Sequence, residues 1–265
     1  MNSINNLAYP VVDHCNLNCR GCCRFCNSLQ EKHFADIKIF EKDLKRFKEL
    51  VENIEMFRLF GGEPLLHPDL DKFVYIARKY YPYSEIDIVS NGLLIDRMPP
   101  QLIEAIKSCY VKLEISVYKP TRAKMQSIMN TIDEYKLGYT LNNVDKFWKR
   151  FNMAGDSIPE AMWQDCEWKK CNGLRDGKFM MCPLPIVIKE FNKMFDFNYN
   201  FDNEVLDIYD DSLTFEDIKD FINRPHDYCA YCGRPEFIKW HNGGKAQIED
   251  YAVKYFDGTK VGGNE

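Results

Sequence analysis

The chain has no long hydrophobic run. Within its 265 residues, no apolar stretch approaches the roughly 20 residues that a helix needs to cross a bilayer. The first residues, MNSINNLAYPVVDHC, also lack the basic and apolar regions of a signal peptide. We therefore expect a cytoplasmic protein that does not bind membranes.

A basic surface is missing as well. The formal net charge is -5, and lysines and arginines are scattered along the chain rather than clustered. This pattern does not indicate a nucleic-acid partner. Hydrophobic residues make up 45% of the chain and aromatic residues 14%, enough for a core, so we expect a folded protein rather than a disordered one.

Cysteine, by contrast, is abundant. The chain has 11 cysteines, and an odd number cannot pair completely in internal disulfides. In a reducing compartment, clustered cysteines more often bind metal or carry out redox chemistry. Five of them fall in HCNLNCRGCCRFC, residues 14–26, where the spacing C-x3-C-x2-C occurs twice. One grouping is Cys15, Cys19 and Cys22; the other is Cys19, Cys23 and Cys26.

Strand and helix patterns alternate through about the first 150 residues. Predicted strands are LAYPVVD before the cysteine loop, EMFRLF before GGEP, EIDIVS before Asn91-Gly92, and VKLEISV. Repeated βα units predict an α/β fold with parallel strands and right-handed crossovers. Such folds place functional groups at the carboxyl ends of the strands, so the cysteine loop, GGEP and SNG should meet at one mouth.

The pattern changes near residue 150, where the alternation stops and cysteines return. We expect a core domain over residues 1–150, a second cysteine-containing domain over 151–245, and a frayed tail over 246–265.

The spacing of the first cysteines suits a metal centre. A structural zinc site needs four protein ligands, and iron–sulfur clusters also usually take four thiolates. A set of three therefore leaves one metal corner open for a substrate or cofactor. A zinc knuckle is the alternative, with a fourth ligand from His14, Cys23, Cys26 or His33.

The order of the motifs resembles the radical S-adenosylmethionine (SAM) superfamily over residues 7 to about 145. The resemblance implies a partial (β/α)6 TIM-like barrel and a [4Fe-4S] cluster on three cysteines, whose open iron binds SAM. It further implies that reductive cleavage of SAM gives a 5′-deoxyadenosyl radical that abstracts hydrogen from the substrate. CNLNC is similar to the family's opening and favours Cys15, Cys19 and Cys22, although Gly21 stands where the family often has an aromatic residue. Cys23 and Cys26 are then spare, as buried small side chains or as thiols near the substrate.

The resemblance also implies a set of SAM-binding positions. GGEP would receive the SAM amino group through backbone carbonyls and the Glu63 carboxylate, and SNG would approach its ribose or carboxylate. Without the family, both segments are simply turns. Tyr118 replaces the aspartate of the family's I-S-x-D strand, so that acid's role is not transferred. The predicted positions are Gly61, Gly62, Glu63, Pro64, Ser90, Asn91, Glu114, Ser116 and Asn142.

A second cysteine set follows the core. CNGLRDGKFMMC predicts a hairpin that turns at Asp176-Gly177, and CAYC supplies two more thiols, together suited to zinc or an iron–sulfur cluster. The spacing resembles the twitch extension, a short form of the SPASM domain, and implies an auxiliary [4Fe-4S] cluster. A zinc ribbon is the alternative. The expected ligands of the auxiliary cluster are Cys182, Cys229 and Cys232, with Cys166 and Cys171 competing for the fourth place.

These features together predict a radical SAM enzyme of the dehydrogenase type. Its substrate would be small and carbohydrate-like or a cyclitol, and a reductase with flavodoxin or ferredoxin would supply electrons. The sequence does not identify the catalytic base; an arginine, a lysine or an auxiliary thiolate could serve. One alternative is modification of a ribosomal peptide, which the short segment before the barrel disfavours because it leaves no room for a leader-binding domain. Another is a zinc-binding interaction module.

Overall fold

The computed structural model describes residues 2–28, 32–167, 171–256 and 261–262. The strands are β1 (Ser3–Val12), β2 (Asn53–Gly61), β3 (Glu85–Ser90), β4 (Lys112–Val117), β5 (Gly138–Asn143), β6 (Lys146–Asn152), β7 (Gly173–Arg175), β8 (Lys178–Met180), β9 (Leu206–Asp207), β10 (Cys232–Lys239), β11 (Ala252–Phe256) and β12 (Val261–Gly262). The helices are α1 (Ile37–Leu50), α2 (Leu70–Tyr80), α3 (Pro100–Ser108), α4 (Lys119–Ala123), α5 (Met125–Tyr135), α6 (Pro159–Gln164), α7 (Leu184–Phe195) and α8 (Phe215–Ile222). None of the helices in these ranges is long and apolar enough to cross a membrane.

The larger sheet contains the predicted parallel core. Its order is β5-β4-β3-β2-β1-β7-β8-β9. Strands β1 to β5 are parallel to their neighbours, β7 adds in parallel on the far side of β1, and β8 and β9 are antiparallel. The α/β class and the partial barrel are confirmed. The six parallel strands are the first five of the chain plus β7, rather than six consecutive strands.

Alternation within the strands explains which faces are buried. On β2, Phe57 and Leu59 are fully buried, whereas Arg58 between them faces the other way and is half-buried. Helix α1 covers the sheet with a stripe that includes Phe40, Leu44 and Phe47, each fully buried at helical spacing. Burying these aromatic and aliphatic side chains leaves the opposite face of the sheet for polar groups.

The predicted hairpin in the second cysteine segment is confirmed. Strands β7 and β8 pair antiparallel around Asp176 and Gly177, which have φ angles of 51° and 76°. Two positive φ angles are what a two-residue hairpin with a type I′ turn requires, and Asp-Gly supplies them at low cost. The Gly177 N–H also donates to the buried Asp43 carboxylate, which attaches the hairpin to α1.

A second, smaller sheet has the order β10-β6-β11-β12. It begins with β6, close to the predicted domain boundary at residue 150. Residues 248–256 differ from the frayed tail that we expected, because they form a short 3-10 helix and β11, with Tyr251 and Ala252 buried. Of the rest of that predicted tail, residues 257–260 and 263–265 lie outside the described residues.

Candidate active site

The carboxyl ends of β1 and β2 bring GGEP against the start of the cysteine loop. The Gly62 N–H donates to the Val12 carbonyl at 2.7 Å, and the Glu63 N–H donates to the His14 carbonyl at 3.0 Å. A Cβ at Gly61 would lie 2.1 Å from the Val12 oxygen, and one at Gly62 would lie 2.0 Å from the His14 oxygen. Because no other side chain fits at this distance, both glycines are required for the contact.

Glu63 joins the end of β2 to the end of β3. It is fully buried, and its carboxylate accepts from Ser90 Oγ at 2.8 Å, the Asn91 N–H at 2.8 Å and the Leu65 N–H at 3.0 Å. Burial raises the pKa of Glu63 to about 7 against the opposing effect of these hydrogen bonds. Its role toward the SAM ammonium stays a prediction; in the protein it fixes the SNG turn.

Asn91 links this turn to the cysteine loop. Its Nδ2 donates to Asn16 Oδ1 at 2.7 Å and lies 3.6 Å from Cys15 Sγ. On its other side, Thr121 Oγ1 donates to the Asn91 carbonyl at 2.8 Å. The structure therefore gathers the three motifs at one edge of the sheet, as the strand order predicted.

The thiols of the first grouping lie in the loop after β1, where Cys19 is buried and Cys15 and Cys22 are half-buried. Burial raises the pKa of Cys15 to about 12 and that of Cys19 to about 11. Cys26 is buried and donates to Cys22, which lowers the pKa of Cys22 to about 6 and raises that of Cys26. Cys23, in contrast, is exposed.

The described part of the chain shows no single-ion site, because no three His, Cys, Asp or Glu side chains converge closely enough to hold one metal ion. A zinc ion needs its sulfurs at about 2.3 Å, whereas in a cubane cluster each cysteine ligates a different iron and the sulfurs remain apart. The role of Cys15, Cys19 and Cys22 as ligands to three corners of a [4Fe-4S] cluster stays a prediction.

Gly21 departs from the family pattern for a steric reason. It has a φ of +69°, and a Cβ there would lie 2.4 Å from Ile238 Cδ1 and 2.8 Å from the Asp250 carbonyl oxygen. The C-terminal segment thus occupies the space next to the position where an aromatic residue was expected. The sequence could not show this, because the filling residues lie more than 200 positions away.

A polar network covers the face of the sheet opposite the helices. Glu114 accepts from Arg58 Nε and from Asn142 Nδ2, each at 3.1 Å. Ser116 lies on the same face as Glu114 by strand alternation, and it is paired with Asn142 in the register of β4 and β5. Glu114, Ser116 and Asn142, three of the predicted SAM-binding positions, therefore share one face of the sheet.

Asp87 belongs to this face but was missed by the sequence analysis. It lies opposite Arg58 in the β2–β3 register and is only 7% exposed, and its Oδ1 has no hydrogen-bond partner among the described residues. Burial, with smaller effects from Glu85 and Glu114, raises its pKa to about 6. The sequence did carry one signal for Asp87: it is a charged residue between two isoleucines in the strand EIDIVS.

The second cysteine set is assembled from three separate segments. Cys166 follows α6, Cys182 follows β8, Cys229 lies in the 3-10 helix Asp227–Tyr231, and Cys232 begins β10. Burial raises the pKa of Cys182. Cys229 is buried, Cys166 and Cys232 are half-buried, and Cys171 is exposed. The choice between Cys166 and Cys171 as the fourth member of the set stays a prediction.

Comparisons with known proteins find relatives that match part of this chain. GTP 3′,8-cyclase from Microcystis aeruginosa is 32% identical over 107 residues, which cover 40% of this chain and 32% of that protein. The enzyme of the same name from Sulfurovum sp. is 28% identical over 153 residues, covering 54% of this chain and 42% of that protein. The matched segments thus span less than half the length of these relatives.

A solved structure matches more of the chain. The crystal structure of BtrN in complex with AdoMet and 2-DOIA has a TM-score of 0.52 and 19% identity, and covers 86% of this chain and 92% of that one. This likeness shows a shared fold that includes the small second sheet. The model of the radical SAM superfamily matches residues 9–151, more than half of the chain. The chain therefore belongs to the radical SAM superfamily.

Proposed function

We propose that this radical SAM enzyme oxidises a small hydroxyl-bearing substrate, carbohydrate-like or a cyclitol, with the help of two [4Fe-4S] clusters. The observation that carries the proposal is a fold that follows BtrN over 86% of the chain and includes a small second sheet whose strand β10 begins at Cys232. When bound, SAM and the first cluster would supply a radical that takes a hydrogen atom from a substrate carbon, and an auxiliary cluster would accept the remaining electron.

Cys15, Cys19 and Cys22 would hold the first cluster. Asn91 Nδ2 lies 3.6 Å from Cys15 Sγ, which puts the SNG turn beside this loop. SAM would then bind beside them at Gly61, Gly62, Glu63 and Pro64, with Ser90 and Asn91 adjacent. The fit rests on two glycines that admit no side chain and on a buried carboxylate that orders the neighbouring turn.

Cys166, Cys182, Cys229 and Cys232 would hold the auxiliary cluster. Four thiolates complete the usual ligand set of a cubane and leave no corner for SAM. Burial raises the pKa of Cys232, and the positive charge of Arg150 opposes this effect. The Arg150 charge would therefore favour the thiolate form that iron binds.

The polar face of the sheet would hold the substrate. Arg58, Glu114 and Asn142 form a connected set of donors and acceptors, which suits a molecule rich in hydroxyl groups. Oxidation of a carbinol also requires a group that takes its proton. Asp87 is the candidate base, because it has a free oxygen and a pKa of about 6, near the working range of a general base.

The alternative functions make different predictions. A peptide-modifying enzyme would use the same two clusters on a larger substrate, so metal content does not separate it from the proposal. A zinc-binding interaction module would hold zinc without iron and would not bind SAM. Substrate tests therefore separate the first alternative, and metal analysis separates the second.

The metal test is anaerobic reconstitution followed by iron, sulfide and zinc analysis. Two cubane clusters require about eight irons per chain, and Cys182→Ala or Cys166→Ala should reduce this to about four. Cys171→Ala is the matched control and should keep about eight. Zinc without iron in the wild-type protein would contradict the proposal.

The substrate test uses polyols and aminocyclitols deuterated at their carbinol carbons. With SAM and dithionite, the proposed oxidation predicts deuterium in 5′-deoxyadenosine and a product that carries a carbonyl in place of one alcohol. Deuterium transfer only from peptides would favour the alternative enzyme class.

A further inference from the structure

The indole of Trp240 contacts the first cysteine loop directly. Its Nε1–H donates to Cys19 Sγ at 3.2 Å, although the two residues are 221 positions apart. Trp240 follows β10, the strand that begins at Cys232 in the second cysteine set. A segment that leaves the second set therefore returns to a thiol of the first.

Two contacts fix the indole in place. The Tyr118 ring packs against it with a centroid distance of 5.2 Å, and the Trp240 backbone N–H donates to the Asp145 carbonyl at 2.9 Å. Phe147 also packs edge-on against Tyr118, with a centroid distance of 6.1 Å. Tyr118 is the residue that stands in place of the family's aspartate, and here it supports Trp240 instead.

The residues on both sides of Cys19 are also tied to this segment. The Asn18 N–H donates to Asn242 Oδ1 at 2.8 Å, and the Gly243 N–H donates to the Asn18 carbonyl at 2.7 Å. The Arg20 N–H donates to the His241 carbonyl at 3.0 Å. The N–H to sulfur contact thus lies beside an antiparallel β-bridge between Cys19 and Asn242, rather than depending on the chance position of one side chain.

We propose that Trp240 is a positioning residue that raises the reduction potential of the first cluster through its hydrogen bond to Cys19. Reduction adds negative charge to a cluster, and the cysteine sulfurs share that charge. An indole is only a donor, so its N–H stabilises the reduced form more than the oxidised form. The inference rests on the proposed function, because it requires the cluster at Cys15, Cys19 and Cys22.

The test is a potentiometric titration of the reconstituted Trp240→Phe protein, followed by electron paramagnetic resonance. Phenylalanine keeps an aromatic ring and removes the N–H. The signal that changes when SAM is added identifies the first cluster. At a fixed applied potential we expect the ratio of reduced to oxidised first cluster to fall about tenfold, which is about 59 mV for a one-electron couple.

Trp148→Phe is the matched control. Trp148 lies in β6, which pairs with β10, and its ring packs on Phe237 with a centroid distance of 3.9 Å. This variant should keep the wild-type potential. Tyr118→Leu removes the ring that supports the indole and should lower the potential in the same direction by a smaller amount.

Labelling tryptophan with ¹⁵N at the indole nitrogen adds a direct readout. Pulsed electron paramagnetic resonance should detect hyperfine coupling between ¹⁵N and the reduced first cluster in the wild type and in Trp148→Phe. It should detect no such coupling in Trp240→Phe. Unchanged potentials in Trp240→Phe and Tyr118→Leu, with no ¹⁵N coupling in the wild type, would overturn this inference alone. A wild-type protein that assembles no cluster would overturn the proposed function with it.

Discussion

Arg20 and Asp250 form a two-pronged ion pair that holds the cysteine loop against the C-terminal segment. Arg20 Nε lies 2.9 Å from one Asp250 carboxylate oxygen, and Nη2 lies 2.7 Å from the other. The Gln247 N–H also donates to Asp250 at 2.9 Å. Since Arg20 follows Cys19 directly, this pair fixes the backbone beside a proposed cluster ligand.

Asp250→Ala should therefore loosen the loop. Removing the carboxylate leaves the Arg20 cation and the Gln247 N–H without this acceptor, and the variant should lower both the midpoint of urea unfolding and the amount of iron retained after gel filtration. Asp69→Ala is the control, because it breaks an exposed pair with Lys72 at the start of α2. Equal effects of the two variants would show that the Arg20–Asp250 pair has no special role.

Asp43 supports the barrel through three hydrogen bonds. It is fully buried and accepts from Tyr209 Oη at 2.6 Å, Tyr9 Oη at 3.2 Å and the Gly177 N–H at 3.2 Å. Asp43→Ala should destabilise the protein by about 2–4 kcal/mol, and Tyr209→Phe by about 1 kcal/mol, in denaturant unfolding. Tyr75→Phe on the exposed face of α2 should have no measurable effect; a similar loss there would argue against the network.

Glu63 should matter for SAM binding more than for cluster assembly. Each Glu63 carboxylate oxygen accepts a hydrogen bond from the SNG turn, one from Ser90 Oγ and one from the Asn91 N–H. In Glu63→Gln, an amide NH2 replaces one of these oxygens, so one acceptor is lost and two donors face each other. We expect SAM affinity to fall at least about tenfold, a loss of about 1.4 kcal/mol, with iron content unchanged. Glu55→Gln, at an exposed position of the same strand, is the control. SAM affinity that stays at the wild-type value in Glu63→Gln would contradict this role.

Asp87 should give the protein a pH-dependent stability. Its pKa is raised from 3.8 to about 6 in the folded chain, first by burial. The folded state therefore holds a proton that the unfolded state releases between pH about 4 and about 6, so stability falls as the pH rises through this window. Compared with Asp87→Asn, the wild type should lose about 1–2 kcal/mol of unfolding free energy between pH 4.5 and 7, allowing for partial solvent screening. Parallel pH profiles for the two proteins would show that Asp87 ionises normally.

The sequence predicted those parts of the site that local patterns determine. GGEP, SNG and the cysteine loop each follow a strand, and parallel pairing then brings their ends together. The Asp176-Gly177 turn was likewise visible because two residues decide it. Local sequence is sufficient for such features because backbone preferences and strand periodicity act over a few residues.

Features that depend on distant packing could not be predicted. The need for glycine at position 21 comes from Ile238 and Asp250, and the contact of Cys19 comes from Trp240. Asp87 was missed because its burial depends on what covers the sheet face rather than on its own strand. The packed segment 248–256 was likewise expected to be a tail, since the pairing of β11 with β6 spans about 100 residues.

The most direct test of the account is the formation of 5′-deoxyadenosine from SAM by the dithionite-reduced, reconstituted protein. The wild type and Cys26→Ala should form it, whereas Cys15→Ala, Cys19→Ala and Cys22→Ala, made singly, should not. Activity in Cys15→Ala together with its loss in Cys26→Ala would show that the second grouping of thiols holds the cluster. No 5′-deoxyadenosine from a wild-type protein that carries its full iron would contradict the central claim.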